Sequence, residues 1–434
     1  MGSTNTLIPH LFRTEYRKIV SVLVKTFGFD QIEIAEDIAS ETFLAAAQTW
    51  GLEGPPDNPV AWLYHVAKNK SKTLLQRDKL FRSKISPAIR SGAGAAFEAA
   101  DPDIAIDLSP ESIADSQLQM MFAICHPSIP RESQIGLSLR ILCGFGIEEI
   151  ADAFLSNKET INKRLFRARE KLREEKIDIS MPPVAELDNR LETVLTTIYL
   201  LFNEGYYSES QNNILRKDLC LEAVRLCHML VNHSPTDKPP VNALLALMCF
   251  HASRFEARTN SHGEIILYGD QDETLWNSEL IAQGVHFLNR SAYGDHLSKY
   301  HLEASIAFWG TQKTDSLEKW ENILHLYNCL LQIEYSPIAA LNRTFALARV
   351  RGKQAAIVEA EKLKLTKSPY YFALLGELYV GIDQAKALEN FRCALELAKT
   401  PAEQQTMRRK MEAERSSHSL SVAPSTLTTL RLLG

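Results

Sequence analysis

Two short stretches concentrate cations in a chain of formal net charge −5. Lys158, Lys163, Arg164, Arg167, Arg169, Lys171, Arg173 and Lys176 fall between residues 156 and 176. Lys68, Lys70, Lys72, Arg77, Lys79, Arg82 and Lys84 form the other run, opposed only by Asp78. Clustered ammonium and guanidinium groups displace counterions from a nucleic-acid backbone, which gives an affinity that falls steeply with salt. No Ser-His-Asp order, phosphate loop, HExxH or dinucleotide fingerprint accompanies them. The chemistry expected is therefore binding, with no catalytic residues, no cofactor and no enzyme activity.

Metal chemistry has a weaker claim. Seven cysteines are scattered without a CxxC, so a disulfide framework is not expected and buried, reduced thiols are. Cys220, Cys227, His228, Cys249 and His251 could be drawn as a zinc site, but the spacing matches no zinc module. Asp270, Asp272 and Glu273 with Asn203 and Glu204 could form a ligand cluster; loop carboxylates more often serve as caps and turn residues. No metal site is expected.

The first basic stretch needs a helix to aim it. Ser156 followed by Glu159 predicts a capping box and a helix start. Ile161, Leu165, Ala168 and Leu172 then make one buried stripe, which leaves Lys158, Asn162, Lys163 and Arg167 outside and Arg164 at the margin. Upstream, Ile147, Ile150, Ala151 and Phe154 line a short helix, joined by a Leu-Ser-Asn turn. Helix, tight turn and capped basic helix predict a helix-turn-helix, whose second helix enters the major groove. Glu170, Glu174 and Glu175 make the second half of that helix read as a solvated face with pairs such as Arg167 with Glu170 and Lys171 with Glu174.

The chain as a whole reads as all-α. Residues 7–85 carry helical periodicity, with Ile19, Val20, Leu23, Val24 and Phe27 in one segment and Ile34, Ile38, Phe43 and Ala46 in the next. Residues 86–110, rich in Gly, Ala, Ser and Pro, read as a flexible, partly acidic linker. A second helical domain spans 111–177, and a Pro-Pro break within 177–185 suggests a second linker. Residues 186–415 are helix after helix, with 263–270 as a short hairpin or loop and 416–434 as a tail. Two segments near the end have the small-residue spacing of tetratricopeptide (TPR) hairpins. There is no long apolar run and no signal-peptide pattern at the start, so a cytoplasmic location without membrane partners is expected.

"EEIADAFLSNKETINKRLFRAREKLRE" resembles region 4 of bacterial extracytoplasmic-function (ECF) sigma factors, through Ile150-Ala151, Leu155-Ser156, Thr160-Ile161 and Arg167-Ala168-Arg169. "AEDIASETFLAAAQTW" resembles region 2.2, and "NPVAWLYHVAKNKSKTLLQRDK" resembles regions 2.3 and 2.4. The remainder looks like the ECF group with a long TPR-like C-terminal extension. The resemblance implies two small sigma domains, region 2 and region 4, joined by a linker and followed by a helical-repeat domain. It implies a subunit that binds core RNA polymerase, at the clamp helices and flap, and directs it to promoter DNA.

Residue by residue, the resemblance places Asp37, Ser40, Glu41, Thr42 and Leu44 on the polymerase clamp. It places Trp62, Asn69, Lys70, Lys72, Thr73, Arg77 and Lys79 at the −10 element. It places Lys158, Thr160, Asn162, Lys163, Arg164 and Arg167 at the −35 element. Thr73-Leu74 and Gln76 depart from the family pattern, which often has Asp-Arg and more arginine there. The C-terminal domain would regulate activity or take a protein or peptide partner. The alternative is a stand-alone helix-turn-helix regulator with a TPR-like sensor, which leaves the segment from Trp62 to Lys84 unexplained.

Overall fold

The computed structural model describes residues 4–80, 106–154, 156–207, 217–258, 266, 271–312, 314–398 and 401–417. Among these residues every regular element is a helix, so the fold is all-α as its periodicity requires. The chain divides into two compact units, 1–200 and 201–434.

The first unit begins with α1 (Thr4–Phe27), a 3-10 turn (Phe29–Gln31), α2 (Ile32–Glu53) and α3 (Pro59–Leu80). It continues with α4 (Pro110–Ile124), α5 (Arg131–Ile141), α6 (Ile147–Ala153), α7 (Lys158–Glu174) and the start of α8 (Val184–Tyr207). Along α2 the buried positions Ile32, Ala35, Ile38, Ala39, Thr42, Phe43, Ala46 and Trp50 follow helical spacing and face α1 and α3. Across α1 and α3, the Tyr64 hydroxyl donates to the buried Glu15 carboxylate, which Lys18 also meets at 2.8 Å. Burial and that acceptor raise the Tyr64 pKa above the usual phenol value.

Most of the expected linker, residues 86–105, lies outside the described residues, but its end is anchored. Ile106 is fully buried. Ser109 accepts from the Ser112 backbone N–H at 3.2 Å and so caps α4, with Pro110 at the first helical position. The Pro-Pro break is an irregular segment held to the helices on either side. The Ile177 N–H donates to Leu172, Ile179 and Pro182 are buried, and the Pro183 carbonyl accepts from Glu186 and Leu187. The division at 200/201 falls inside α8, beyond that break, because α8 runs through without interruption.

The second unit holds the end of α8, then α9 (Lys217–Asn232), α10 (Pro239–Ala252), α11 (Ser278–Ser291), α12 (Lys299–Gly310) and α13 (Leu317–Ile333). It closes with α14 (Pro337–Arg351), α15 (Lys353–Leu363), α16 (Pro369–Tyr379), α17 (Gln384–Leu397) and α18 (Pro401–Ser417). Each of these helices from α9 to α18 packs on the next in sequence. α10 is buried from Val241 to Phe250, which marks it as a central helix with neighbours on several sides. The pairs α14/α15 and α16/α17 are the two helical hairpins expected near the end of the chain. In the second, a Cβ on Gly376 would meet the Phe391 ring at 2.5 Å, so α16 and α17 approach as closely as they do only because that position has no side chain.

The segment 263–270 lies outside the described residues except for Ile266, whose N–H donates to the Arg258 carbonyl. Asp272 caps the 3-10 turn at Glu273–Leu275 by accepting from the Thr274 N–H at 2.9 Å. Cys220 and Cys227 donate their thiols to the carbonyls of Phe202 and Val241, and Cys249 is buried as well. Burial raises the Cys249 thiol to about 12. His251 lies tilted beside Tyr206, ring centres 4.9 Å apart, and burial together with Arg254 and Arg258 holds it well below its usual range. Among the described residues no group of three or more His, Cys, Asp or Glu could hold a metal ion.

Candidate nucleic-acid interface

α7 is positioned by its buried stripe. Ile161, Leu165, Ala168 and Leu172 are all buried, against α5 and α6. Leu165 sits over Gly136 of α5, whose absent Cβ would lie 2.9 Å from the Leu165 methyl. The helix starts one residue later than its sequence suggests. Asn157, not Ser156, is the cap; its side chain accepts from the Thr160 N–H at 2.8 Å. The Ser156 N–H instead closes the preceding turn onto Ala151 O, which spends it on α6. Asn is as good a cap as Ser, so local propensity did not separate the two.

The outer face of α7 contains Lys158, Thr160, Asn162, Lys163, Phe166 and Arg167, all exposed. Lys158 reaches back to Glu148 of α6 at 2.7 Å, and its ammonium holds the Glu148 carboxyl below the usual carboxylate range. Arg164 is half-buried, 3.2 Å from Glu132 and 5.7 Å from the centre of the Phe154 ring. Lys163 and Arg167 make no ion pair among the described residues. Glu170 turns to Arg173 at 2.5 Å, and Lys171 pairs with Glu175 at 2.8 Å. The pairs expected from sequence, Arg167 with Glu170 and Lys171 with Glu174, are thus replaced by their neighbours, and Arg167 is left uncommitted. Phe166, 65% exposed, lies four residues beyond Asn162 on the same face. Its spacing made it legible, but attention to charge passed over it.

α3 presents a different picture. Trp62 is half-buried and meets the buried Trp50 edge to face, ring centres 5.2 Å apart. Asn69 bonds His65 at 2.9 Å, and the Thr73 hydroxyl donates back to the Asn69 carbonyl. Lys70 pairs with Glu41 of α2 at 2.8 Å. Lys72 is exposed without an ion pair among the described residues. The side chains of Arg77 and Lys79 lie outside the described set, though the helix itself extends to Leu80.

On α2, Asp37, Ser40, Glu41 and Leu44 share an exposed face, with Leu44 58% exposed. Thr42 does not join them. It is fully buried and its hydroxyl donates to the Ile38 carbonyl, so its place is in the core. Leu52, 91% exposed, extends the face by two turns beyond Leu44 and was not anticipated. Isolated exposed leucines are ordinary; two on one face beside carboxylates suit a docking surface.

Comparison with known proteins bears on two parts of the chain. Residues 11–80, α1 to α3, match the Sigma-70 region 2 family. Residues 190–292 match a family of unknown function, DUF6596. An uncharacterized protein of Rhizobium meliloti (strain 1021), R00370, is 29% identical over 388 residues, covering 88% of this chain and 90% of the relative. No solved structure matches the chain significantly. The region 2 match supports a sigma factor, a class that acts in transcription initiation with core RNA polymerase and promoter DNA as partners. No described helix is long and apolar enough to cross a membrane.

Proposed function

We propose that the chain is an ECF-type sigma factor. Its α2 face, Asp37, Ser40, Glu41, Leu44 and Leu52, docks on core RNA polymerase. α3 contacts the −10 element through Trp62, Asn69, Lys70, Lys72 and Thr73, with Arg77 and Lys79. α7 reads the −35 element. The observation that carries the reading is the region 2 match over α1 to α3 in one chain with a helix-turn-helix whose outer face keeps Lys163 and Arg167 uncommitted.

The residues divide the work. Lys158, Lys163, Arg164 and Arg167 supply phosphate contacts that fix register, while Thr160 and Asn162 offer hydrogen bonds to base edges. Trp62 supplies a π face for an unstacked base, and Lys72 a backbone cation. The helical second unit regulates this activity or takes a protein or peptide partner, as concave helical arrays do.

Run-off transcription tests the reading. Purified chain and bacterial core polymerase are mixed with genomic promoter fragments. Specific transcripts are expected, and loss of transcripts together with failure to co-elute with core polymerase rejects the sigma reading. Stable binding of duplex DNA without polymerase would then favour a stand-alone regulator.

A further inference from the structure

One end of the second unit presents apolar side chains to water. Leu297, Ile333, Tyr335 and Ile338 are all exposed, Tyr335 to 62%. Ile333 ends α13, Tyr335 lies in the following turn and Ile338 opens α14. Lys299 of α12 meets Glu334 at 2.8 Å, which brings the start of α12, just after Leu297, to the same end. Local structure leaves Tyr335 outside. Ser336 caps α14, so Tyr335 holds the position that ordinarily packs on the fourth helical residue. That residue is Ala340, small and buried, and it offers Tyr335 nothing to staple to. Single exposed apolar residues are ordinary; a group of them around one turn marks a surface that something covers.

The direction of the helices decides what can reach this end. The Tyr370 hydroxyl donates to Glu403 at 3.0 Å, and Lys410 pairs with Glu377. Both pairs are separated by 33 residues, so α16 and α18 run parallel. Lys353, at the start of α15, donates to the Val380 carbonyl at the end of α16 at 2.7 Å. α14 ends just before Lys353, so it runs the same way as α16. The starts of α14, α16 and α18 therefore share the end that carries Tyr335 and Ile338, and α18 finishes with Ser417 at the other. Residues 418–434 lie outside the described residues. They contain no acid, one Lys or Arg, Arg431, and four leucines, Leu427, Leu430, Leu432 and Leu433, in their second half. The apolar end is about 25 Å from Ser417 along α18 and about 20 Å across two helix spacings to α14, roughly 30 Å in a straight line. Residues 418–427 span up to about 35 Å when extended, so the leucines begin where the apolar side chains are.

We propose that residues 427–433 of this same chain cover the apolar end formed by α13 and α14, with residues 418–426 spanning the length of the helices. Attachment, reach and charge single out this occupant. A tethered segment meets its site at an effective concentration on the order of millimolar, which a free partner has to exceed. The segment carries no carboxylate, and Lys299 and Glu334 at the apolar end already meet each other, so covering them strands no acid. Pro424 and the Ser and Thr residues around it disfavour a helix. In an extended segment Leu430 and Leu432 fall on one side, a pair of apolar side chains for Tyr335 and Ile338. A protein or peptide partner that docks on this end must first displace residues 427–433. The covering concerns the second unit alone and holds whether or not the first unit acts as a sigma factor.

The test uses the full chain with the exposed Ile338 replaced by photoreactive benzoylphenylalanine, irradiated in dilute solution, digested and mapped by mass spectrometry. Crosslinks from position 338 into residues 427–433 of the same chain are expected. Leu430→Asp together with Leu432→Asp should lower their yield about ten-fold while the helix signal stays unchanged. The reciprocal probe at position 430 should map to residues 333–338. An equal yield with the two aspartates in place would overturn the covering, as would crosslinks that map only to other segments. Crosslinks that join two chains would overturn it as well and make a second copy the occupant.

Discussion

α3 and α7 carry similar runs of lysine and arginine and use them differently. On α7 the early cations face outward, and Lys163 and Arg167 have no acidic partner among the described residues. On α3 the described Lys70 is already paired with Glu41. The difference lies in what stands opposite. α7 turns its buried stripe to α5 and α6, whose acids, Glu132 and Glu148, reach Arg164 and Lys158 only. α3 runs beside α2, whose outer face is acidic. A count of positive residues therefore overstates the charge that either helix can offer: among the described residues α7 keeps Lys163 and Arg167, and α3 keeps Lys72, exposed without an ion pair.

The comparison can be broken most forcefully by removing the scaffold of one side. Leu165→Ala takes a buried side chain from between α5 and α7 and should cost about 2–5 kcal/mol. Denaturant unfolding followed by helix signal should show it, with α7-dependent DNA binding lost and polymerase co-elution kept. Lys163→Ala with Arg167→Ala should leave folding unchanged and lower the salt dependence of −35 duplex binding by the holoenzyme by roughly two phosphate contacts. Lys70→Ala should lower it by less than one, because that cation is shared with Glu41; equal losses would remove the distinction drawn here.

Smaller effects sharpen the same contrast. Asn157→Ala removes the cap of α7 and should cost about 1 kcal/mol, whereas Ser156→Ala should cost less; the reverse order would move the helix start back. The Glu148 carboxyl is held low by Lys158, so their pairing is complete above the ordinary carboxylate range and is lost only as pH falls through the depressed value. Binding of α7 to duplex DNA should rise slightly in that acidic window as Lys158 is released. Glu148→Gln should abolish this rise while leaving the unfolding midpoint unmoved.

Much of α7 could be read from sequence because its determinants are local. The stripe Ile161, Leu165, Ala168 and Leu172 follows from helical periodicity, and each member is buried as that periodicity requires. The cap was misplaced by one residue because Ser156 and Asn157 are both good caps and only the preceding turn chooses between them. The hairpins at 337–363 and 369–397 were legible through their small residues. What sequence did not disclose depends on distant segments meeting. Arg17 donates to the Cys143 carbonyl, and Arg173 meets Glu33; the partners are far apart in the chain, and no local rule pairs them. The helical stripe through Ile19, Val20, Leu23 and Val24 was visible, but the burial of Ser21 and Val22 beside it was a clue only once α4 lay against α1. Thr42 was placed with the docking residues by the family resemblance; its hydroxyl satisfies itself on the Ile38 carbonyl, which lets it lie inside.

The tryptophan pair at the start of α3 has an optical consequence. Trp50 is buried and Trp62 is half-buried beside it, at 5.2 Å and 63°. Indoles so close exchange excitation, so light absorbed by either is emitted from a shared pair whose yield depends on whatever covers the Trp62 face. A nucleobase stacked on Trp62 would quench both. If Trp62 meets the −10 element as proposed, the chain carries its own dye there, and stopped-flow emission from an unlabelled protein would time base stacking on it.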